Sequence, residues 1–113
     1  MGNRRNSEEQ VYRSSGNVFR DLDLKDADEK HTKVQLTVAI NQILEEMGIP
    51  QTAAAKLLTV NQPKISALAH YRLDGFSVER LMLFLNALGR DVDIVIRKPR
   101  RGHSSGRIQV KAA

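Results

Sequence analysis

Residues 51–68, QTAAAKLLTVNQPKISAL, decide how this chain folds. Two short helices are expected there, over Gln51–Leu58 and Gln62–Ala69, with only Thr59, Val60 and Asn61 between them. Helices that cross steeply through so short a turn need small residues where their backbones approach, and Ala54 and Ala55 supply them. They also need an apolar wedge on their inner faces. Leu58, Val60, Ile65 and Leu68 form it, and the steps from Ala55 to Val60 to Ile65 to Leu68 are those of a helix-turn-helix. The outer face of the second helix then carries Gln62, Lys64, Ser66 and Ala67. Such short or polar side chains suit a DNA major groove. Gln pairs with adenine through two hydrogen bonds, Lys donates to guanine acceptors, and an Ala methyl meets the thymine methyl. Lys56, His70 and Arg72 flank the pair and are expected to meet phosphate.

Working outward from this pair, the preceding stretch predicts a long helix from about Ala27 to Met47. Leu36, Ile40, Ile43, Leu44 and Met47 recur at three- and four-residue steps and make one apolar stripe. Gly48 is a natural stop, and Pro50 disfavours continuation. Upstream, Val18, Phe19, Leu22 and Leu24 read as a short separate segment packing on the domain. Asp21, Asp23, Asp26, Asp28 and Glu29 are expected beside the start of the long helix, offsetting its dipole. Downstream, Asp74-Gly75 marks a loop. Ser77 caps a further helix with Glu79 in its first turn and Val78, Leu81, Phe84, Leu85 and Leu88 on the buried side, and Gly89 ends it.

Val92-Asp93-Ile94-Val95-Ile96 reads as a strand, with Val92, Ile94 and Ile96 on one face. A lone strand in a helical chain has no partner for its backbone groups, so a second copy or another protein's strand is expected to pair with it. Val92, Ile94 and Ile96 are therefore the expected dimerisation residues.

Length and charge bound the rest. A chain of 113 residues has room for one domain. It divides into a flexible arm over 1–14, a domain over 15–98 and a flexible basic tail over 99–113. The net charge is +5, yet residues 97–113 alone hold six Lys/Arg and no acid, whereas 15–96 hold nine Lys/Arg against eleven Asp/Glu. The basic excess thus belongs to the tail, and the argument for nucleic acid has to rest on the motif. Absence of Cys excludes disulfides and thiolate zinc sites. No stretch has the roughly 20 apolar residues of a membrane span, and no signal peptide is recognisable, so a cytoplasmic protein is expected. His31, His70 and His103 lack metal-ligand spacing. With no phosphate-binding Gly loop and no nucleophile elbow, neither an enzyme nor a cofactor is expected.

At this point the chain resembles a known group, the Cro and phage-repressor class of helix-turn-helix domains, also called XRE regulators. More narrowly it is similar to the HigA-like antitoxin branch. The resemblance covers about residues 15–98, through the SGNVFRDL opening, GIPQTAAAKLLTVNQPKIS, YRLDGFSVERLMLFLNALG and DVDIVIRKP. It implies a mainly α, lambda-repressor-like bundle of about five helices with one C-terminal β-strand. It also implies that Gln51 touches phosphate and that Gln62 and Lys64 read bases, with Ser66 and Ala67 one turn later. Asn61 would cap the second helix or bind phosphate. Two positions depart from the pattern. Thr59 stands where the turn Gly is usual, which strains a β-branched residue if φ is positive, and Pro50 replaces the usual polar cap. The function implied is a transcriptional repressor that binds a palindromic operator as a homodimer, with an autoregulating antitoxin as one form of it. The alternative is a protein-interaction module that neutralises a toxin partner and binds DNA weakly or not at all.

Overall fold

Four helices make up the ordered framework among the described residues: α1 (Ser15–Met47), α2 (Gln51–Leu58), α3 (Gln62–Ala69) and α4 (Val78–Ala87). The computed structural model describes residues 15–99 and 106–112, with side chains from residue 26 onward. The expected arm over 1–14 lies outside the described residues. α1 packs chiefly on α4, and α2 chiefly on α3. The core sits where these pairs meet, with Leu36 and Ile40 of α1, Ala54, Ala55 and Leu58 of α2, Ile65 and Leu68 of α3, and Leu81, Phe84 and Leu85 of α4 all buried. Ile40 and Leu81 have no exposed surface, so they anchor the α1 and α4 faces of that core.

α1 differs from the reading of its sequence. It is one continuous helix of 33 residues starting at Ser15, where a separate segment and a helix from Ala27 were expected. The count among the described residues is accordingly four helices instead of about five. Acids at Asp26, Asp28 and Glu29 lie inside the helix, well past its first turn. Asp26 and Glu29 are satisfied there by partners one turn on, Lys30 at 3.4 Å and Lys33 at 3.5 Å. Pairs of this i,i+4 kind stabilise an exposed helix by about 0.2–0.5 kcal/mol each, which favours continuation through the acidic stretch. The side chains of Val18, Phe19, Asp21, Leu22, Asp23 and Leu24 lie outside those described. Two buried threonines, Thr32 and Thr37, donate their hydroxyl hydrogens to the Asp28 and Lys33 carbonyls at 2.9 and 2.8 Å. Helical back-bonding satisfies both of these buried hydroxyls. At the far end Met47, expected in the apolar stripe, is exposed, and the buried run ends with Ile43 and half-buried Leu44.

Each helix is stopped by a residue with left-handed backbone: Gly48 (φ 65°), Thr59 (φ 59°), Tyr71 (φ 60°) and Gly89 (φ 83°). After α2, α3 and α4 the same pair of bonds closes the end. The Val60, Arg72 and Arg90 N–H groups reach back to the Ala55, Ala67 and Leu85 carbonyls at 2.9, 2.8 and 2.9 Å. This is the Schellman arrangement, and it requires positive φ at the residue between. Glycine adopts that conformation freely, whereas an L side chain is strained by roughly 1–2 kcal/mol.

The strand expected over Val92–Ile96 is not present: no β-ladder forms among the described residues. Val92 packs on the core, but Ile94, Val95 and Ile96 are 75%, 69% and 93% exposed. β-branched residues favour extended backbone, but a strand exists only when a neighbour takes up its N–H and C=O groups, and one chain has none to offer. Beyond it, Val110 in the basic tail is half-buried against the core, and its N–H donates to Gln35 Oε1 at 3.3 Å. This part of the tail is therefore tied to α1.

Thr59 is exposed and, among the described residues, makes no side-chain hydrogen bond that offsets its backbone strain. Thr59→Gly is expected to stabilise the fold by about 1 kcal/mol, raising the thermal midpoint by roughly 4–8 °C for a domain of this size. Thermal unfolding followed by circular dichroism measures this. A lower midpoint in the variant would show that the threonine side chain compensates its own strain.

Candidate nucleic-acid interface

The turn between α2 and α3 is built from local chemistry. Ala54 and Ala55 are buried where α2 meets its neighbours, and half-buried Val60 fills the turn. α3 then starts at once. Asn61 has extended backbone, and its Oδ1 accepts from the Lys64 N–H at 3.0 Å, so it is the N-cap. Pro63 lies in the first turn, where its missing N–H costs nothing. At the other end the Asn41 amide of α1 donates to the Leu68 carbonyl at 3.2 Å. α3 is thus held at its N-terminus by its own cap and near its C-terminus by the long helix.

α2 is different at its start. Pro50 precedes it with no side-chain cap, and only the Ala54 N–H finds the Pro50 carbonyl, at 3.0 Å. The first-turn N–H groups, beginning with Gln51, are left facing solvent at the positive end of the helix dipole. α3 and α4, by contrast, are capped by Asn61 and Ser77, the latter accepting from the Arg80 N–H at 3.0 Å.

The residues expected to meet DNA fall into three groups. Gln51, Lys56, Asn61, Gln62, His70 and Arg72 are exposed. Ser66 and Ala67 are half-buried, one turn further along α3 than Gln62 and Pro63. Lys64 is half-buried and engaged by the protein itself. Its Nζ donates to the Gly75 carbonyl at 3.2 Å and lies 4.9 Å from the centroid of the Phe76 ring. His70 is also engaged: its Nδ1 lies 2.8 Å from the Ser66 carbonyl. A carbonyl only accepts, so Nδ1 carries the hydrogen, and Nε2 can donate to a phosphate only when the ring is protonated.

Several positioning residues were not legible in the sequence. Asn41 sits beside the apolar stripe of α1 like any polar neighbour, and only tertiary structure brings it to Leu68. Tyr71 ends α3 with φ 60° although nothing in its residue type signals a left-handed position. Asp74-Gly75 was legible as a loop, but the space that Gly75 leaves for Lys64 was not. Together Lys64, Ala67, Arg72 and Phe76 line a shallow groove beside the first turn of α3.

Residues 18–97 match the family described as "Helix-turn-helix domain". A solved structure assigned to the XRE family of transcriptional regulators is 53% identical in sequence, with a TM-score of 0.75 over 78% of this chain and 99% of that one. The chain belongs to the XRE family of helix-turn-helix proteins. No curated protein matches it. The family match spans all four helices from within α1 onward and runs through the exposed Ile94–Ile96 stretch. In this XRE-family chain the paired helices α2 and α3 are the motif, while α1 and α4 form the support behind it.

Asn61 closes the first turn of α3, so its loss should be measurable without any ligand. Asn61→Ala is expected to cost about 1 kcal/mol and to raise amide exchange in the first turn of α3, whereas Asn61→Asp, an equally good cap, should leave stability nearly unchanged. Chemical denaturation with hydrogen exchange checks both. Equal stability of the Ala variant and the parent chain would remove the cap from this account.

Proposed function

We propose that this protein is a sequence-specific DNA-binding transcriptional regulator, a repressor that acts as a homodimer on a palindromic operator. One observation carries the reading: α3 is a short, capped helix whose N-terminal Gln62 is exposed while Ile65 and Leu68 are buried behind it. That geometry suits a recognition helix entering the major groove by its N-terminus. Gln62 reads a base edge, and Ser66 and Ala67 make short-range contacts one turn on. Gln51, at the uncapped start of α2, takes a phosphate oxygen together with its free backbone N–H groups. Lys56, Asn61 and Arg72 contact neighbouring phosphates and set the register, and His70 joins them through Nε2 only with its ring protonated.

The dimer rests on Ile94, Val95 and Ile96. Three consecutive exposed apolar residues that join no ladder among the described residues invite a strand from a second copy, with Val92 already seated on the core. A two-fold axis there would place two copies of α3 on successive half-sites. The same exposed stretch favours a second reading, in which the partner strand belongs to a toxin and the regulator is an autoregulating antitoxin of the HigA-like branch. An interaction module with little DNA affinity would keep the strand pairing and lose the recognition by α3.

The roles separate by how they fail. Gln62→Ala is expected to cost about 1–3 kcal/mol on the cognate site and to relax preference at one base pair per half-site. Asn61→Asp, which keeps the cap, should weaken cognate and scrambled duplexes alike by repelling phosphate. Competition binding against every single-base variant of the operator reads both. Equal losses across all variants for Gln62→Ala would mean that it does not read bases.

Replacing Ile94 and Ile96 together by Ser should leave the folded monomer intact, since both are exposed in the single chain. The double variant is expected to sediment as a monomer and to lose operator affinity. A dimer that survives the double substitution would show that the interface lies elsewhere.

A further inference from the structure

Lys64 occupies the first turn of α3, where a long cationic side chain would ordinarily be counted among those that reach for DNA. Its surroundings argue otherwise. The ammonium donates to the Gly75 carbonyl at 3.2 Å and lies 4.9 Å from the centroid of the Phe76 ring. Phe76 is itself buried and meets Phe84 of α4 edge-on, with centroids 5.9 Å apart and an interplanar angle of 76°. The ring is therefore a fixed platform, and its face offers the ammonium both charge–quadrupole attraction and a firm position.

Gly75 completes the arrangement. It is not a left-handed position, so its backbone does not demand glycine. What a side chain would do there is collide: a Cβ on Gly75 would stand 2.9 Å from Lys64 Nζ. The missing side chain makes the room in which the ammonium sits. Arg72 lines the same groove from the loop that leaves α3.

We propose that Lys64 is a positioning residue that stitches the first turn of the recognition helix to the loop between α3 and α4. Through it, α3 and the loop that carries Arg72 form one preorganised surface, and base discrimination falls to Gln62 and its neighbours one turn on. The proposal rests on the DNA-binding reading above for its consequence, but the stitch itself belongs to the free protein. If the stitch is broken, the loop and the helix start must be ordered on binding, and affinity falls without any change in which base is preferred.

Two surface substitutions test this from opposite sides. Lys64→Met removes the ammonium, and Gly75→Ala displaces it without changing the identity of any residue of α3. Both are expected to weaken binding about threefold to tenfold on all single-base operator variants alike. The double variant should be no weaker than the weaker single one, because each breaks the same contact. If Lys64 reads a base instead, Lys64→Met flattens preference at one base pair and Gly75→Ala, which frees the lysine, leaves affinity equal or higher. That pattern overturns the proposal. A second measurement needs no DNA. In the free protein the Lys64 Hε protons should be shifted upfield by the Phe76 ring in proton NMR, and the shift should collapse in Gly75→Ala. Hε protons at their unstructured position in the parent chain overturn the stitch outright. A parent chain that binds no duplex while keeping the ring shift would instead overturn the DNA-binding reading and leave the stitch standing.

Discussion

The Val60 N–H has to find a carbonyl when α2 ends, and the one within reach is that of Ala55, at 2.9 Å. Making that bond forces Thr59 into left-handed backbone at φ 59°, against the preference of a β-branched residue. The strain is accepted because the alternative is an unpaired amide on half-buried Val60. Once Thr59 turns left, Val60 points into the core and Asn61 stands ready to cap α3. The angle between α2 and α3, and hence everything the outer face of α3 presents, follows from this one closure. The same geometry recurs after α3, with Tyr71 in the strained position, so α3 lies between two non-glycine left-handed residues.

Strain of this kind persists only where packing over-determines the backbone. Here the packing is supplied from behind. α1 and α4 bury Ile40 and Leu81 completely, and Ile65 and Leu68 of α3 pack onto that support. Asn41 adds a directional restraint through its 3.2 Å bond to the Leu68 carbonyl, which a purely apolar contact would not give. Buried Thr37 keeps α1 regular through the same region by satisfying its hydroxyl within the helix.

Polar residues around α3 divide between holding the helix and facing outward. Asn61, Lys64 and His70 each make a contact to the protein's own backbone, at 3.0, 3.2 and 2.8 Å. Gln62 and Arg72 stand exposed beside them, with no such side-chain partner among the described residues. Charge alone would have put Lys64 and His70 with Arg72. Hydrogen-bond geometry separates them, since a donor engaged internally has to be released before it can serve a phosphate or a base.

By itself, the sequence determined the elements whose signals are local. The spacing from Ala55 to Leu68, the caps Asn61 and Ser77 and the stops Gly48 and Gly89 can all be read from neighbouring residues, because helix ends and periodic stripes are formed by contacts three or four positions apart. The possible strain at Thr59 was legible for the same reason. Other features needed the fold. α1 runs from Ser15 through the acidic stretch, where the i,i+4 ion pairs of Asp26 and Glu29 favour continued helix and no single residue announces a boundary. Val92–Ile96 has strand composition but forms no ladder, since pairing is a property of two segments and composition describes one. Lys64 meets Gly75 and Phe76, and Asn41 meets Leu68, across gaps of 11 or more positions that only packing closes. Which polar side chains are held and which are free was therefore decided by tertiary structure, because that choice depends on the partners brought within hydrogen-bond reach.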